Sequence, residues 1–218
     1  FIYMYGKLKG YYMIIIFEGI DGCGKTTQAN LLKERLKRES IDCTYMSFPS
    51  NSRIGRISNE VLSNKVEGID ENQRFCFVIA DMLCELYGQF GIVEKLNQGV
   101  CIICDRFYLS TEVYQNKVNR DMLQAGRNVI FKDLNEAVIF FIDVSLEQAK
   151  GRIETRGKNE LYEIDAIQQR VYNCYYEILK EYRNLEKYII DGNQSIKSIA
   201  EQIYGIVKYK LNYSNEKR

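Results

Sequence analysis

The chain has 218 residues, with 30 basic and 29 acidic side chains and no histidine. That length suits one domain with a sizeable core, and the balanced charge leaves no basic footprint for nucleic acid and no acidic tail. Without histidine there is no imidazole base, no His-based triad and no His–zinc site, so catalysis has to rest on lysine, arginine, carboxylates, backbone amides and a bound metal.

Residues 1–12 fit no element clearly and read as an N-terminal extension, with Met13 a natural start. The apolar run Ile14-Ile15-Ile16-Phe17 then predicts a buried strand. Gly19-Ile20-Asp21-Gly22-Cys23-Gly24-Lys25-Thr26-Thr27 follows and has the spacing of a phosphate-binding loop. Glycines there let successive N–H groups converge on one anion at a helix N-terminus. Lys25 supplies a point charge for the β/γ-phosphates, and the Thr26 hydroxyl suits Mg²⁺. Ala29, Leu32 and Leu36 share one face of the helix that runs to about Glu39. Cys43 to Phe48 predicts a second strand, ended by Pro49, the only proline.

Residues 71–97 predict one or two helices, broken near Gly88 and Gly91. Val100 to Cys104 is a third strand, closing at Asp105, and a helix is expected from about Ser110. Ala137 to Ile142 is a fourth strand; Ser145 caps a helix over Leu146 to Arg156, leading into a charged loop, Gly157 to Glu163. A long helix over Asp165 to Asn184, a short strand at Tyr188 to Ile190 and an apolar-striped helix from Ile196 to Val207 complete the pattern. Strands alternating with helices predict an α/β fold, a parallel sheet covered on both faces. No apolar run is counted as long enough to span a bilayer, and no signal peptide is read at the N-terminus.

Seven cysteines, an odd number in a chain of this size, point to reduced thiols in a cytosolic compartment. Cys101 and Cys104 form a C-x-x-C, but it lies within the third strand, where positions i and i+3 face opposite ways. They are expected to be core residues.

Asp105-Arg106-Phe107 stands at the carboxyl end of the third strand, where open α/β sheets bind ligands. Arg106 can hold a phosphate bidentately and Asp105 can reach a metal through water. Ser110, Tyr114 and Gln115 follow at helical spacing and offer one polar face.

With these segments in order, the chain resembles the thymidylate kinase family of nucleoside monophosphate kinases from Met13 to about Val207. Phe17 to Gln28 looks like that family's phosphate loop, and Asp105-Arg106-Phe107 with Ser110 and Tyr114-Gln115 like its second signature. Phe48-Pro49 with Arg53-Ile54-Gly55, the stretch Phe141 to Ser145 with Arg152, Arg156 and Tyr162-Glu163, and Ile190 to Ile196 resemble its remaining segments. The resemblance implies a P-loop NTPase three-layer sandwich with a five-stranded parallel sheet, a kinase domain over 13–211 with a lid at about 152–163, and a polar tail at 212–218. It implies phosphorylation of dTMP by ATP with Mg²⁺, in dTTP biosynthesis, by a cytoplasmic homodimer that binds neither nucleic acid nor membrane. Lys25, Arg106, Arg152 and Arg156 would be catalytic. Gly19 to Thr27, Arg152 and Gly192 would bind ATP, and Thr26 and Asp105 the metal. Asp21, Phe48, Pro49, Arg53, Phe77, Arg106, Ser110, Tyr114 and Gln115 would bind the acceptor. Asp21 would meet the sugar hydroxyl and Tyr114 would crowd the sugar 2′ position.

Three positions depart from the family pattern. Gly22 stands where some members carry an arginine in the phosphate loop, so the catalytic cation is expected from the lid, from Arg152, Arg156 or Lys158. Leu161 precedes the Tyr-Glu of the lid, where an arginine is common. Met82 and Val78 occupy the usual arginine and phenylalanine positions of the base site, leaving Phe77 or Phe75 to supply a ring and Arg74 a distant cation. The alternatives are a kinase for another deoxynucleoside monophosphate or deoxynucleoside, and a P-loop nucleotide switch.

Overall fold

The computed structural model describes residues 13–115, 117–134, 136–155, 164–183 and 185–216, with backbone alone over 164–167 and 213–216. The expected extension at 1–12 and most of the expected lid, including Arg156, Lys158 and Leu161, lie outside the described residues.

Five parallel strands form one sheet in the order β2-β3-β1-β4-β5: β1 (Ile14–Glu18), β2 (Cys43–Ser47), β3 (Cys101–Asp105), β4 (Ala137–Asp143) and β5 (Glu186–Asp191). β1 and β3 are buried along their whole length, as strands covered on both faces must be, and this is why they read as apolar runs up to the carboxylate that closes each. β1 is central, with Ile14 in register with Ile102 on one side and Ala137 on the other. The chain leaves β1 toward β2 at one edge and leaves β3 toward β4 on the other side. The crevice between these diverging connections is where ligands bind in such sheets.

The helices among the described residues are α1 (Lys25–Arg38), α2 (Arg53–Leu62), α3 (Glu71–Tyr87), α4 (Ile92–Asn97), α5 (Tyr108–Tyr114), α6 (Arg120–Ile130), α7 (Leu146–Glu154), α8 (Ile164–Glu181) and α9 (Ile196–Glu216). α1 packs on β1, β2 and β3 and against α9. A second group packs α2 on α3, α3 and α5 on α6, and α5 and α7 on α8. α3 starts with a reciprocal Asp70–Gln73 capping box, and Ser145 caps α7 through the Gln148 N–H at 3.3 Å.

The structure departs from the sequence reading in four places. α2 was not expected, although Ile54, Ile57, Val61 and Leu62 recur at helical spacing; Ser52 caps it through the Gly55 N–H at 3.1 Å. The helix after Asp105 ends at Tyr114, and α6 is a separate element capped by Asn119. Residues 212–216, expected as a polar tail, continue α9. Glu71–Asn97 does contain an 18-residue window long and apolar enough to cross a membrane, with a mean hydropathy of 1.5. It is divided at Gly88–Gly91, and one face of α3 carries Phe75, Val78, Asp81, Met82 and Leu86 into the protein interior.

Candidate active site

The loop after β1 bends through glycines whose backbone angles a side chain resists. Gly22 has φ 80°, and a Cβ there would press on the Ala149 carbonyl and stand 3.0 Å from Ile153 Cγ1. α7 therefore occupies the space that an arginine at position 22 would need. Gly24, at φ 106°, starts α1, so the helix N-terminus faces the loop. Lys25 is buried, and its Nζ donates to the Gly19 carbonyl at 2.9 Å and the Ile20 carbonyl at 2.8 Å. Burial lowers its pKa below the usual lysine range.

Thr26 donates its hydroxyl hydrogen to Asp105, which also accepts from Tyr45 at 3.3 Å. Burial, and then Asp105, push the Tyr45 hydroxyl up to about 12, so it stays a donor. On the far side of the loop, Arg152 of α7 donates to the Cys23 carbonyl at 3.3 Å and the Gly192 carbonyl at 2.8 Å. It thereby joins the phosphate loop to the turn after β5.

Arg106 holds a left-handed backbone at φ 67°. Its guanidinium pairs with Asp21, donates to the Gly19 carbonyl at 3.3 Å and the Ser110 hydroxyl at 3.1 Å, and lies over the Tyr114 ring, 5.2 Å from its centroid. Burial opposes its charge, but the Asp21 and Glu18 carboxyls nearby favour it, and the guanidinium stays protonated. Burial likewise raises the Asp21 pKa, yet Arg106 and Lys25 outweigh it and keep that carboxyl below its usual range. The helix α8 contributes Gln168, which donates to Asp21 at 3.1 Å.

Two cavities open at this edge of the sheet. The smaller, about 220 Å³, is lined by Gly22, Gly24, Lys25, Thr26, Thr27, Ser47 and Asp105. The larger, about 440 Å³, runs between α3, α5 and the loop after β2, and includes Pro49, Arg74, Val78, Met82, Ser110, Thr111, Tyr114, Gln115 and Arg170. Asp21, Phe48 and Arg106 line both. Most of the residues expected in the site are thus brought together. Gly19, Ile20 and Cys23 contribute loop backbone, and Gly192 is reached through Arg152. Two are not: Arg53 is exposed at the start of α2 and lines neither cavity, and Phe77 is turned away while Val78 and Met82 form the wall. Phe75 is buried beside Gly126 of α6. Arg74 does line the larger cavity, although its guanidinium donates to the Val61 carbonyl at 2.5 Å and the Ile69 carbonyl at 3.3 Å. The sequence reading missed Glu18, Tyr45, Thr111, Gln168, Arg170 and Tyr175. Only Glu18 left a signal, as a charge closing an otherwise apolar strand.

A family model described as thymidylate kinase matches residues 17–203. The chain belongs to the thymidylate kinase family. It is a nucleoside monophosphate kinase, a phosphotransferase that phosphorylates dTMP with ATP. A thymidylate kinase of Mycoplasma capricolum subsp. capricolum is 31% identical over 214 residues, covering 94% of this chain and 99% of the relative. One from Legionella pneumophila (strain Paris) is 28% identical over 208 residues, covering 92% and 96%. The crystal structure of thymidylate kinase from Ehrlichia chaffeensis aligns with a TM-score of 0.70 over 90% of this chain and 99% of that one; at 24% identity it shows the shared fold.

Proposed function

We propose that the smaller cavity holds the ATP phosphates, the larger holds dTMP, and Arg106 at their seam grips the acceptor phosphate. One observation carries this reading: Asp21, Phe48 and Arg106 line both cavities, so two anions bound there would meet at Arg106. The reaction then needs positioning and charge compensation and no covalent intermediate.

In this reading the loop amides and Lys25 hold the donor phosphates, while Arg152 and Gly192 close the nucleoside side. Thr26 and Asp105 offer hard oxygen donors side by side, a set that fits Mg²⁺. Mg²⁺ bound with ATP would neutralise charge on the β- and γ-phosphates. An incoming acceptor phosphate competes with Asp21 for the Arg106 guanidinium and leaves Asp21 to meet the sugar hydroxyl. Tyr114 beside them leaves little room for a 2′-hydroxyl. Arg53 would swing in from the start of α2, and Arg156 would join Arg152 when the lid closes and excludes water.

Base recognition rests on Gln115. It is 4% exposed, lines the larger cavity, and its Oε1 has no hydrogen-bond partner. An unpaired buried carbonyl is costly, and the imide N–H of thymine would satisfy it. Phe48, Pro49, Phe107 and Met82 supply an apolar wall for the ring and its methyl group. The protein would act in the cytoplasm as a homodimer, through the outer face of α3. Coupled ADP release with dTMP, dUMP, dCMP, dGMP and dAMP tests the reading. dTMP should be the best acceptor, dUMP weaker and the purine nucleotides inactive; turnover of dGMP or dAMP without dTMP would overturn the base assignment.

A further inference from the structure

Glu18 is a buried carboxylate that phosphoryl transfer does not use directly. It ends β1, is 0% exposed, and precedes the phosphate loop by one residue. Its Oε1 accepts the N–H groups of Phe107 at 2.8 Å and Ser110 at 3.3 Å. Its Oε2 accepts the Ser110 hydroxyl at 2.6 Å and the Tyr175 hydroxyl at 2.9 Å. Those two hydroxyl oxygens in turn accept from Arg106 Nη1, at 3.1 and 3.4 Å. A chain of hydrogen bonds therefore runs from the guanidinium through two hydroxyls to one carboxylate.

An apolar residue would fill the end of β1 at less cost, since burial penalises the charged form and pushes the Glu18 pKa up. What the carboxylate provides is control of the turn that carries Arg106. Arg106 holds its left-handed backbone at φ 67°, a conformation that persists in a non-glycine residue only where the surroundings over-determine it. Glu18 binds the N–H of the next residue and the N–H of Ser110 at the first turn of α5, fixing the backbone on the C-terminal side of Arg106. Tyr175 comes from α8, and burial with the nearby Glu18 pushes its hydroxyl far above the usual tyrosine range, so it remains a donor. The side chain of Arg106 is thus braced from β1, α5 and α8 together.

We propose that Glu18, Ser110 and Tyr175 form a positioning unit that aims Arg106 at the acceptor phosphate. This rests on the reading of Arg106 as the acceptor-phosphate clamp. Glu18 and Tyr175 are positioning residues and touch no substrate.

The test compares dTMP with thymidine, which lacks the phosphate. Tyr175→Phe removes one hydroxyl and keeps the buried ring; Glu18→Gln removes the charge and serves as a second variant where it folds. For Tyr175→Phe, dTMP affinity and kcat should each fall by about tenfold, with thymidine affinity and the KM for ATP unchanged. In an Arg106→Ala background, Tyr175→Phe should add no further loss of dTMP affinity. The proposal fails if Arg106→Ala weakens dTMP while Tyr175→Phe leaves dTMP affinity and kcat at wild-type values. It fails equally if thymidine binding weakens in step with dTMP, which is the mark of general loosening. Unchanged dTMP affinity in Arg106→Ala itself would remove the clamp reading, and the positioning unit with it.

Discussion

Single residues set the chemistry of this site. Among the described residues Lys25 is the only ammonium lining the smaller cavity, and it is already desolvated and turned onto the loop carbonyls. Lys25→Ala should lower kcat by on the order of a hundredfold or more while the melting temperature holds, because the charge acts where the transferred group becomes most anionic. Steady-state kinetics beside thermal melting would check it, and near wild-type kcat would place ATP elsewhere. At the base end, Met82 is 1% exposed and offers no hydrogen-bond donor. An arginine introduced there would point a donor at a base carbonyl, which thymine has and cytosine replaces with an amine. Met82→Arg should therefore raise the preference for dTMP over dCMP by on the order of tenfold, the worth of one charged hydrogen bond. An unchanged ratio of kcat/KM for the two acceptors would show that position 82 does not face the base edge.

Elements decide how those residues meet. α7 lies against the phosphate loop at Gly22 and sends Arg152 across to Gly192. Arg152→Ala is expected to lower kcat at least about tenfold, ~1.4 kcal/mol of transition-state stabilisation, and to raise the KM for ATP because it frees the loop from the turn after β5. Full activity in that variant would leave Arg156 or another lid cation to supply the charge. The same packing predicts that Gly22→Arg does not restore a loop arginine. It forces a side chain into α7 and a positive φ on a non-glycine residue, a strain of ~1–3 kcal/mol before the clash is counted. A drop in melting temperature with no gain in kcat is the expected result; a more active variant of unchanged stability would contradict the packing. α1 and the strands were legible as elements because their apolar residues recur at the periods of buried helices and strands. α2 was not, although Ile54, Ile57, Val61 and Leu62 recur at helical spacing, since the face it buries holds Gly55 and Ser58 beside Val61 and packs on α3. Phe77 illustrates the same limit: one residue along a helix is a rotation of about 100°, enough to move a ring from the cavity to another face.

At the scale of the molecule, α3 leaves an apolar surface. Only a third of the apolar stretch over Glu71–Asn97 is buried, and Tyr87 and Phe90 stand 46% and 63% exposed on it. A second copy on this face would account for it, so sedimentation at micromolar concentration should give a dimer, and Tyr87→Glu should shift it toward monomer by placing a charge in the contact. A wild-type monomer at all concentrations would rule the interface out. The sequence alone determined the strand order of events along the chain, the phosphate loop after β1, the Asp-Arg pair after β3 and the exclusion of histidine chemistry. Those signals are local: spacing, periodicity and residue type within a few turns of one another. Only the tertiary structure decided that Asp21, Phe48 and Arg106 line both cavities, that α8 brings Gln168, Arg170 and Tyr175 to the acceptor side, and that Glu18 braces the arginine. These contacts join residues far apart in sequence, from Glu18 to Tyr175, and no periodic pattern in one segment encodes the neighbour that folding brings to it from another.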